Sequence, residues 1–199
     1  MKKALLVVDI QNDFCSGGAL EVGGADEIFP TVNKLIDEFN KNNDLVVATI
    51  DWHPADHGSF ASNSPGEIGE MGELNGIPQI WWPDHCVQGS IGAELHKDLK
   101  SIKNKINKGQ NPKYDSYSSF FDANRKATKL NPLLKENDID TLYIVGLATD
   151  YCVKFTVLDA LELGYNVYLV ENGCRGVNLN PSDSKEAVKE MKRLGAIVI

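Results

Sequence analysis

The stretch GLATDYCV, residues 146–153, joins a predicted strand (141–145) to a predicted helix. Thr149 or Asp150 is expected to cap that helix, because a short side-chain oxygen satisfies the free N–H groups of a first turn. Cys152 would then lie in the first turn, where unpaired amides and the helix dipole favour a thiolate. Taken alone, the stretch leaves two interpretations open. Cys152 is either a nucleophile at the carboxyl end of a strand or a buried, inert thiol.

The composition is that of an ordinary globular protein. The chain has 199 residues, of which 42% are apolar and 24% charged, enough for one domain, residues 1–199, with a sizeable core. The formal net charge is −8. Because a protein that binds nucleic acid through its phosphates needs a basic face, we expect a small-molecule partner and no nucleic acid.

The sequence predicts a cytoplasmic protein without a membrane segment. Two lysines precede an apolar run that Asp9 ends after five residues, shorter than the roughly 7–15 apolar residues of a signal peptide. The four cysteines form no CxxC pair, so free thiols are expected. Whether the protein is a monomer or a homo-oligomer is left open.

Short apolar runs alternate with amphipathic segments along the chain. The predicted strands are residues 3–9, 45–50, 102–107, 141–145, 166–170 and 196–199, and the predicted helices are residues 28–39, 130–135, 153–163 and 182–194. This alternation predicts an α/β fold, a three-layer α/β/α sandwich around a mainly parallel, doubly wound sheet. Residues 52–92 look irregular, and a loop of that length usually builds a site.

Three chemically complementary residues follow three different predicted strands: Asp9, Lys108 and Cys152. Ligands bind at the carboxyl edge of such a sheet, so these side chains can converge there. The carboxylate can take the thiol proton as a general base, and the lysine can stabilise negative charge. Each residue alone has a simpler interpretation, because Asp9 could stabilise a turn and most lysines are solvated.

A second group contains metal-ligand types. Asp51 and His53 follow the strand at 45–50, and His85 lies in the long irregular segment. A carboxylate with two imidazoles suits a divalent transition metal, and this donor set does not separate Zn from Fe or Mn. His57 is expected to be an outer partner of the ion rather than a ligand. His96 is interpreted as a surface histidine.

Aromatic residues lie on loops at the same predicted edge: Phe14, Trp82, Tyr114 and Tyr117. Aromatic walls would suit a flat ring by stacking and apolar burial. Ordinary loop packing is the alternative for each of them.

Several collinear motifs carry a resemblance to a known family. They are DIQNDF (9–14), DWHP (51–54) with HGSFA (57–61), WPDHCV (82–87), KG (108–109) and GLATDYCV (146–153). Together they resemble the nicotinamidase/pyrazinamidase family of isochorismatase-like cysteine hydrolases, over nearly the whole chain. The set of Asp9, Lys108 and Cys152 is typical of the superfamily, and the Asp-Trp-His-Pro and Trp-Pro-x-His-Cys motifs are more specific to nicotinamidases.

The resemblance implies an activity, a metal and roles for individual residues. The activity is metal-dependent hydrolysis of nicotinamide to nicotinate and ammonia, and of pyrazinamide, in NAD salvage. Zn is the expected ion, with Fe or Mn as alternatives. The implied site residues are the triad Asp9, Lys108 and Cys152, the ligands Asp51, His53 and His85, the substrate-binding aromatics Phe14, Trp82 and Tyr117, and the oxyanion-hole N–H groups of Ala148 and Cys152, with a cis Leu147–Ala148 peptide.

Two rival functions remain, and only the second belongs to a different class. One is a different amidase or an ether hydrolase of the same superfamily, against which the metal motif argues. The other is an iron oxygenase with two histidines and one carboxylate, usually built on a β-rich barrel. A binding protein without catalysis is a weaker third, because no triad position is lost.

Overall fold

The computed structural model describes residues 2–199, which are organised around a six-stranded sheet whose neighbouring strands are all parallel. Its strands are β1 (Lys3–Val8), β2 (Leu45–Asp51), β5 (Asn104–Lys108), β6 (Thr141–Leu147), β7 (Asn166–Arg175) and β8 (Ile197–Val198), and β3 (Met71–Leu74) with β4 (Ile77–Ile80) forms a separate antiparallel hairpin. The strand order is β5-β2-β1-β6-β7-β8. The chain therefore winds outward from β1 in both directions, which makes the sheet doubly wound.

Helices cover both faces of this sheet. They are α1 (Phe29–Lys41), α2 (Leu130–Glu136), α3 (Lys154–Glu162) and α4 (Asp183–Arg193). Side chains of a strand alternate between faces, so the apolar run of β1 contributes to two cores. Leu5 belongs to the core that contains Ile36 of α1, and Leu6 belongs to the core that contains Leu134 of α2 and Val157 of α3. The predicted three-layer α/β/α class is confirmed.

The elements differ from the sequence prediction in three places. The irregular segment contains the β3–β4 hairpin, which the sequence did not predict because Gly72 and Pro78 interrupt its alternation. Strand β7 runs five residues beyond the predicted end, past Val170, with an irregular register against β6. A π-helical turn, Thr149–Val153, precedes α3. As expected, all four cysteines are free thiols. Within residues 2–199, no helix is long and apolar enough to cross a membrane.

The strand order fixes where a site can form. Strands β1 and β6 lie side by side at the centre of the sheet, and connections leave them toward opposite edges. Loops therefore diverge at their carboxyl ends, which leaves a crevice there. Gly146 of β6 has a φ of 127°, and a Cβ on it would collide with the Val8 carbonyl oxygen. This close approach brings the turn that carries Cys152 against the end of β1.

Candidate active site

Four chemically reactive side chains meet at the carboxyl edge of the sheet. Asp9 follows β1, Asp51 and Lys108 end β2 and β5, and Cys152 follows β6. Asp51 and Lys108 are paired across the neighbouring strands. All four residues are at most 6% exposed. The parallel sheet thus brings together residues that are up to 143 positions apart in sequence, from 9 to 152.

Lys108 lies at the centre of the group. Its Nζ is 2.9 Å from Asp51 Oδ1, 2.9 Å from Asp9 Oδ2 and 3.5 Å from the Cys152 sulfur. It also donates to the Ser116 carbonyl oxygen at 2.7 Å. Burial alone would lower the pKa of Lys108, but the Asp51 and Asp9 carboxylates raise it well above its ordinary value. The lysine is therefore a fixed buried cation.

Asp9 has one oxygen engaged and one available. Its Oδ1 accepts a 2.6 Å hydrogen bond from the Thr49 hydroxyl. Its Oδ2 faces the ammonium of Lys108, yet no donor within residues 2–199 makes a well-aligned hydrogen bond to it. An oxygen of Asp9 lies within 4.8 Å of the Cys152 sulfur. Burial raises the pKa of Asp9 although Lys108 opposes this, and a raised pKa suits a proton acceptor.

The surroundings of Cys152 oppose the thiolate that the helix start was expected to favour. Burial raises the pKa of the Cys152 thiol well above its ordinary value, with Lys108 acting in the opposite direction. The carboxylates of Asp9 and Asp51 raise this pKa further. The sulfur instead lies where a carboxylate can accept its proton.

The predicted helix cap is wrong. No side chain caps the π-helical turn or α3. The Asp150 carboxylate instead accepts hydrogen bonds from the backbone N–H groups of Val177, at 2.9 Å, and Asn178, at 2.7 Å. These bonds connect the nucleophile turn to the segment after β7. The Leu147–Ala148 peptide is cis, as the family resemblance implied.

Asp51, His53 and His85 form a buried cluster with the features of a metal site. The Nδ1 atoms of His53 and His85 lie 2.8 Å from the Gly109 carbonyl oxygen and 2.7 Å from the Pro83 carbonyl oxygen, respectively. A carbonyl oxygen only accepts, so both Nδ1 atoms carry the proton. Each Nε2 is then free and faces Asp51, at 3.3 Å for His53 and 3.8 Å for His85. A carbonyl partner on the second nitrogen is typical of metal-bound histidine.

The charge balance of the site supports the same conclusion. Burial alone would raise the pKa of Asp51, but the nearby His53 and Lys108 outweigh this effect and hold that pKa well below its ordinary value. Burial would lower the pKa of His53, but the Asp51 carboxylate raises it above its ordinary value, so this carboxylate favours a positive charge inside the cluster. A divalent cation between one carboxylate and two imidazoles would supply that charge in place of a proton. These residues therefore fit a transition-metal ion.

His57 and Asp115 flank this cluster. The His57 ring centroid is 4.2 Å from that of His53, and its Nδ1 is 2.7 Å from the Ser59 hydroxyl. Burial and the neighbouring His53 lower the pKa of His57 to about 4, so it is neutral near pH 7. Its buried Nε2 has no partner among the described residues. His57 lies beside the predicted ligands, with His53 and Asp115 close enough to share a cation.

A small pocket opens next to the Cys152 sulfur. Seven of the residues that line it were predicted to belong to the site: Phe14, Asp51, Trp82, His85, Tyr117, Ala148 and Cys152. Four further residues complete the lining: Leu20, Asp115, Tyr151 and Val177. Tyr114 is not among them. A larger open groove lies beside this pocket and shares Tyr117 and Tyr151 with it, but it contains neither Cys152 nor a predicted metal ligand. The small pocket is therefore the candidate substrate site.

Hydrogen bonds hold one wall of the pocket in place. The Tyr117 oxygen accepts from Trp82 Nε1 at 2.9 Å and from Gln79 Nε2 at 3.1 Å. Gln79, from the β3–β4 hairpin, also donates to the buried Asp115 carboxylate at 3.0 Å. The Trp82 ring meets Tyr151 edge-on, with centroids 5.0 Å apart. The hairpin thus supports the aromatic wall although it does not line the pocket.

Sequence reasoning missed four of the residues that shape this site: Thr49, Gln79, Asp115 and Tyr151. Only Thr49 had a usable signal, since it is the one polar residue in the apolar run 45–50. A hydroxyl inside a buried strand needs a hydrogen-bond partner, and here the partner is Asp9. Gln79 lies in the short strand β4 and Asp115 in an irregular segment, and nothing in the sequence pattern distinguishes either residue.

Comparison with known proteins finds matches along nearly the whole chain. Residues 3–199 match the model of the isochorismatase domain. A nicotinamidase from Escherichia coli is 54% identical over 197 residues, which cover 98% of this chain and 92% of that protein. A nicotinamidase/pyrazinamidase structure from Acinetobacter baumanii superposes with a TM-score of 0.93 at 44% identity, covering 100% of this chain and 95% of the other. A pyrazinamidase from Pyrococcus horikoshii in complex with zinc has a TM-score of 0.84 at 40% identity, with coverage of 100% and 99%.

Proposed function

The chain belongs to the isochorismatase family, and from this premise we propose that it hydrolyses nicotinamide to nicotinate and ammonia. One observation carries the proposal. The Lys108 ammonium lies 2.9 Å from Asp9 and 3.5 Å from the Cys152 sulfur, at the edge of a pocket that also exposes Asp51 and His85. The names of relatives that are 54% and 47% identical support the choice of substrate.

The proposed first half-reaction forms a thioester on Cys152. As the sulfur attacks the carboxamide carbon, its proton passes to the available oxygen of Asp9. Lys108 stabilises the negative charge that develops on the sulfur. The carbon–nitrogen bond then breaks, and Asp9 returns the proton to the departing nitrogen, so that ammonia leaves.

The second half-reaction releases the acid. Water attacks the thioester carbon while Asp9 accepts a proton from it. The carbon–sulfur bond then breaks, Asp9 returns the proton to the Cys152 sulfur, and the acid leaves and loses its own proton to solvent as nicotinate. In both halves the oxyanion is assigned to the backbone N–H groups of Ala148 and Cys152. Removing one such donor typically costs about a hundredfold or more in rate.

Asp51, His53 and His85 are the residues that would hold the metal, and His57 is assigned to its outer shell. When bound, a Zn²⁺ ion would supply a Lewis-acid anchor for the ring nitrogen of the substrate and would order water. The zinc complex of the Pyrococcus pyrazinamidase supports this choice of ion over Fe or Mn.

The aromatic residues of the pocket are assigned to the substrate ring. Phe14, Trp82 and Tyr117 would enclose a flat ring by stacking and apolar burial, which suits both nicotinamide and pyrazinamide. Nicotinate released by this reaction would enter NAD salvage. Another amidase of the same family is the alternative, and a panel that compares nicotinamide, pyrazinamide and N-carbamoyl compounds separates the two.

Replacement of the nucleophile tests the mechanism. Cys152→Ala should abolish ammonia release from nicotinamide, because no other group in the pocket can form the thioester. Cys174→Ala is the matched control, since it removes a buried thiol that does not line the pocket. Circular dichroism would show that both variants fold. Full turnover by Cys152→Ala would refute the covalent mechanism.

Removal of metal tests the second part of the proposal. Treatment with a chelator should suppress ammonia release, and Zn²⁺ should restore it, because the assigned ligands then regain their ion. The His85→Ala variant should lose the response to added Zn²⁺. If the chelated protein keeps its full rate and contains no metal by elemental analysis, the metal assignment is wrong although the thioester mechanism can still hold.

A further inference from the structure

A second cluster of metal-ligand side chains lies outside the candidate active site. Its members are Cys15, Asp26 and His96, and each offers a ligand atom within 4.8 Å of the other two. Cys15 directly follows Phe14 of the pocket wall, but it is buried in the hydrophobic core that contains Ile28 and does not line the pocket. The cluster joins two segments that are about 70 residues apart, around positions 26 and 96.

We propose that Cys15, Asp26 and His96 form a second binding site for Zn²⁺, separate from the Asp51 cluster. A thiolate, an imidazole and a carboxylate are the three ligand types that Zn²⁺ uses in proteins, in a four-coordinate arrangement that water can complete. The proposal does not depend on the reaction assigned to Cys152.

The dimensions of the cluster suit an ion of this size. An atom at the centre of a triangle with 4.8 Å sides lies about 2.8 Å from each corner, and zinc bonds to sulfur, nitrogen and oxygen are about 2.0–2.3 Å long. A contraction of roughly 0.5–0.8 Å per ligand would therefore give normal bonds. Asp26 is exposed and His96 is partly exposed, so they can adjust while Cys15 stays in place.

Packing already orients two of the three side chains. The His96 ring stacks on Phe29 with centroids 4.7 Å apart and an interplanar angle of 26°. This contact corrects the interpretation of His96 as a plain surface histidine. The Asp26 carboxylate accepts a 3.3 Å hydrogen bond from the N–H of Ser16, next to Cys15. The cluster therefore needs little ordering before it binds an ion.

Asp98 flanks the His96 ring. Its backbone N–H donates to His96 Nδ1 at 3.3 Å, and its carboxylate oxygen lies 3.9 Å from the same nitrogen. Nδ1 accepts a hydrogen bond here, so binding of an ion through Nε2 would require the ring proton to move to Nδ1. The Asp98 carboxylate lies beside that nitrogen, in an arrangement of carboxylate and histidine that is common at zinc sites.

Cobalt binding to the full-length protein tests this site. The background is Cys152→Ala, which removes the thiol beside the Asp51 cluster, and the protein is first stripped with a chelator. Titration with Co²⁺ should then load two ions per chain, one of them with the near-ultraviolet absorption of a cobalt–thiolate bond. Adding Cys15→Ser should remove this band and one ion. Cys174→Ser, which changes a buried thiol outside the cluster, should remove neither.

Two variants that leave the buried thiol in place keep the test decisive if Cys15→Ser does not fold. His96→Gln and Asp26→Asn leave the buried thiol untouched, and each should weaken cobalt binding at this site by about tenfold or more. The proposal is overturned if the Cys152→Ala background shows no thiolate band, if the band survives Cys15→Ser, or if both His96→Gln and Asp26→Asn bind cobalt with unchanged affinity.

Discussion

The hydrogen bond from Thr49 to Asp9 gives a sharp test of the proposed general base. The two side chains are fully buried, and the Thr49 hydroxyl donates to Asp9 Oδ1 at 2.6 Å. Thr49→Val removes this donor and keeps the shape of the side chain. A hydrogen bond to a charged group contributes about 1.5–3 kcal/mol, so on the acidic side of the pH profile we expect kcat/KM for nicotinamide to fall roughly 10- to 150-fold.

The pH dependence separates a catalytic effect from a structural one. The Thr49 hydroxyl lowers the pKa of Asp9, so its loss raises that pKa further. Asp9 must be ionised to accept the thiol proton, and activity therefore fails as the pH falls through its pKa. The acidic limb of the kcat/KM profile should move to higher pH in Thr49→Val.

Ammonia release, measured at pH values from about 5 to 9, checks this expectation. Thr49→Ser is the matched control, because it keeps the hydroxyl and should leave the acidic limb where it is. A Thr49→Val enzyme with a wild-type limb and a rate within twofold of wild type would show that Asp9 is not the base. A uniform loss of rate without any movement of the limb would also contradict the reasoning.

Two further changes test the centre of the site. Lys108→Met removes the cation between two buried carboxylates, which should cost about 3–5 kcal/mol of folding free energy and lower the melting temperature by roughly 10 °C. Lys105→Met, on the exposed side of β5, is the control and should leave the melting temperature nearly unchanged. Gly109→Ala would place a Cβ 2.5 Å from His53 Cε1, so metal affinity measured by titration should drop about 10- to 100-fold. Gly89→Ala controls for backbone strain alone, since Gly89 also has a positive φ but open space around it. Unchanged zinc affinity in Gly109→Ala would contradict the assigned ligand.

The part of the fold that burial dictates could be predicted from the sequence. Strand β1 is a continuous apolar run because both of its faces are covered, and the sequence shows this directly. The β3–β4 hairpin was not predictable in the same way. Its exposed and half-exposed residues carry only a weak alternation, and it is held mainly through contacts such as that of Gln79 with Asp115. Such contacts connect distant segments and leave no local pattern.

The site could be predicted in part for a similar reason. Asp9, Lys108 and Cys152 each follow a strand, so topology alone brings them to one edge of the sheet. The raised pKa of the thiol could not be inferred, because it depends on burial and on distances between side chains. The local expectation of a thiolate considered only the helix start. It left out the desolvation and the two carboxylates that raise the pKa of Cys152.

The same ammonium contacts two carboxylates, and their other neighbours give them different roles. Asp51 faces His53 and His85, and its pKa is lowered, so it stays ionised and suits a metal ligand. Asp9 faces a hydroxyl and a thiol in a desolvated position, and its pKa is raised, so it suits proton transfer. Two acids whose surroundings drive their pKa values apart are a common basis for separate catalytic tasks. In this chain the separation follows from strand order, because β1 ends beside the nucleophile turn and β2 ends beside the histidine loops.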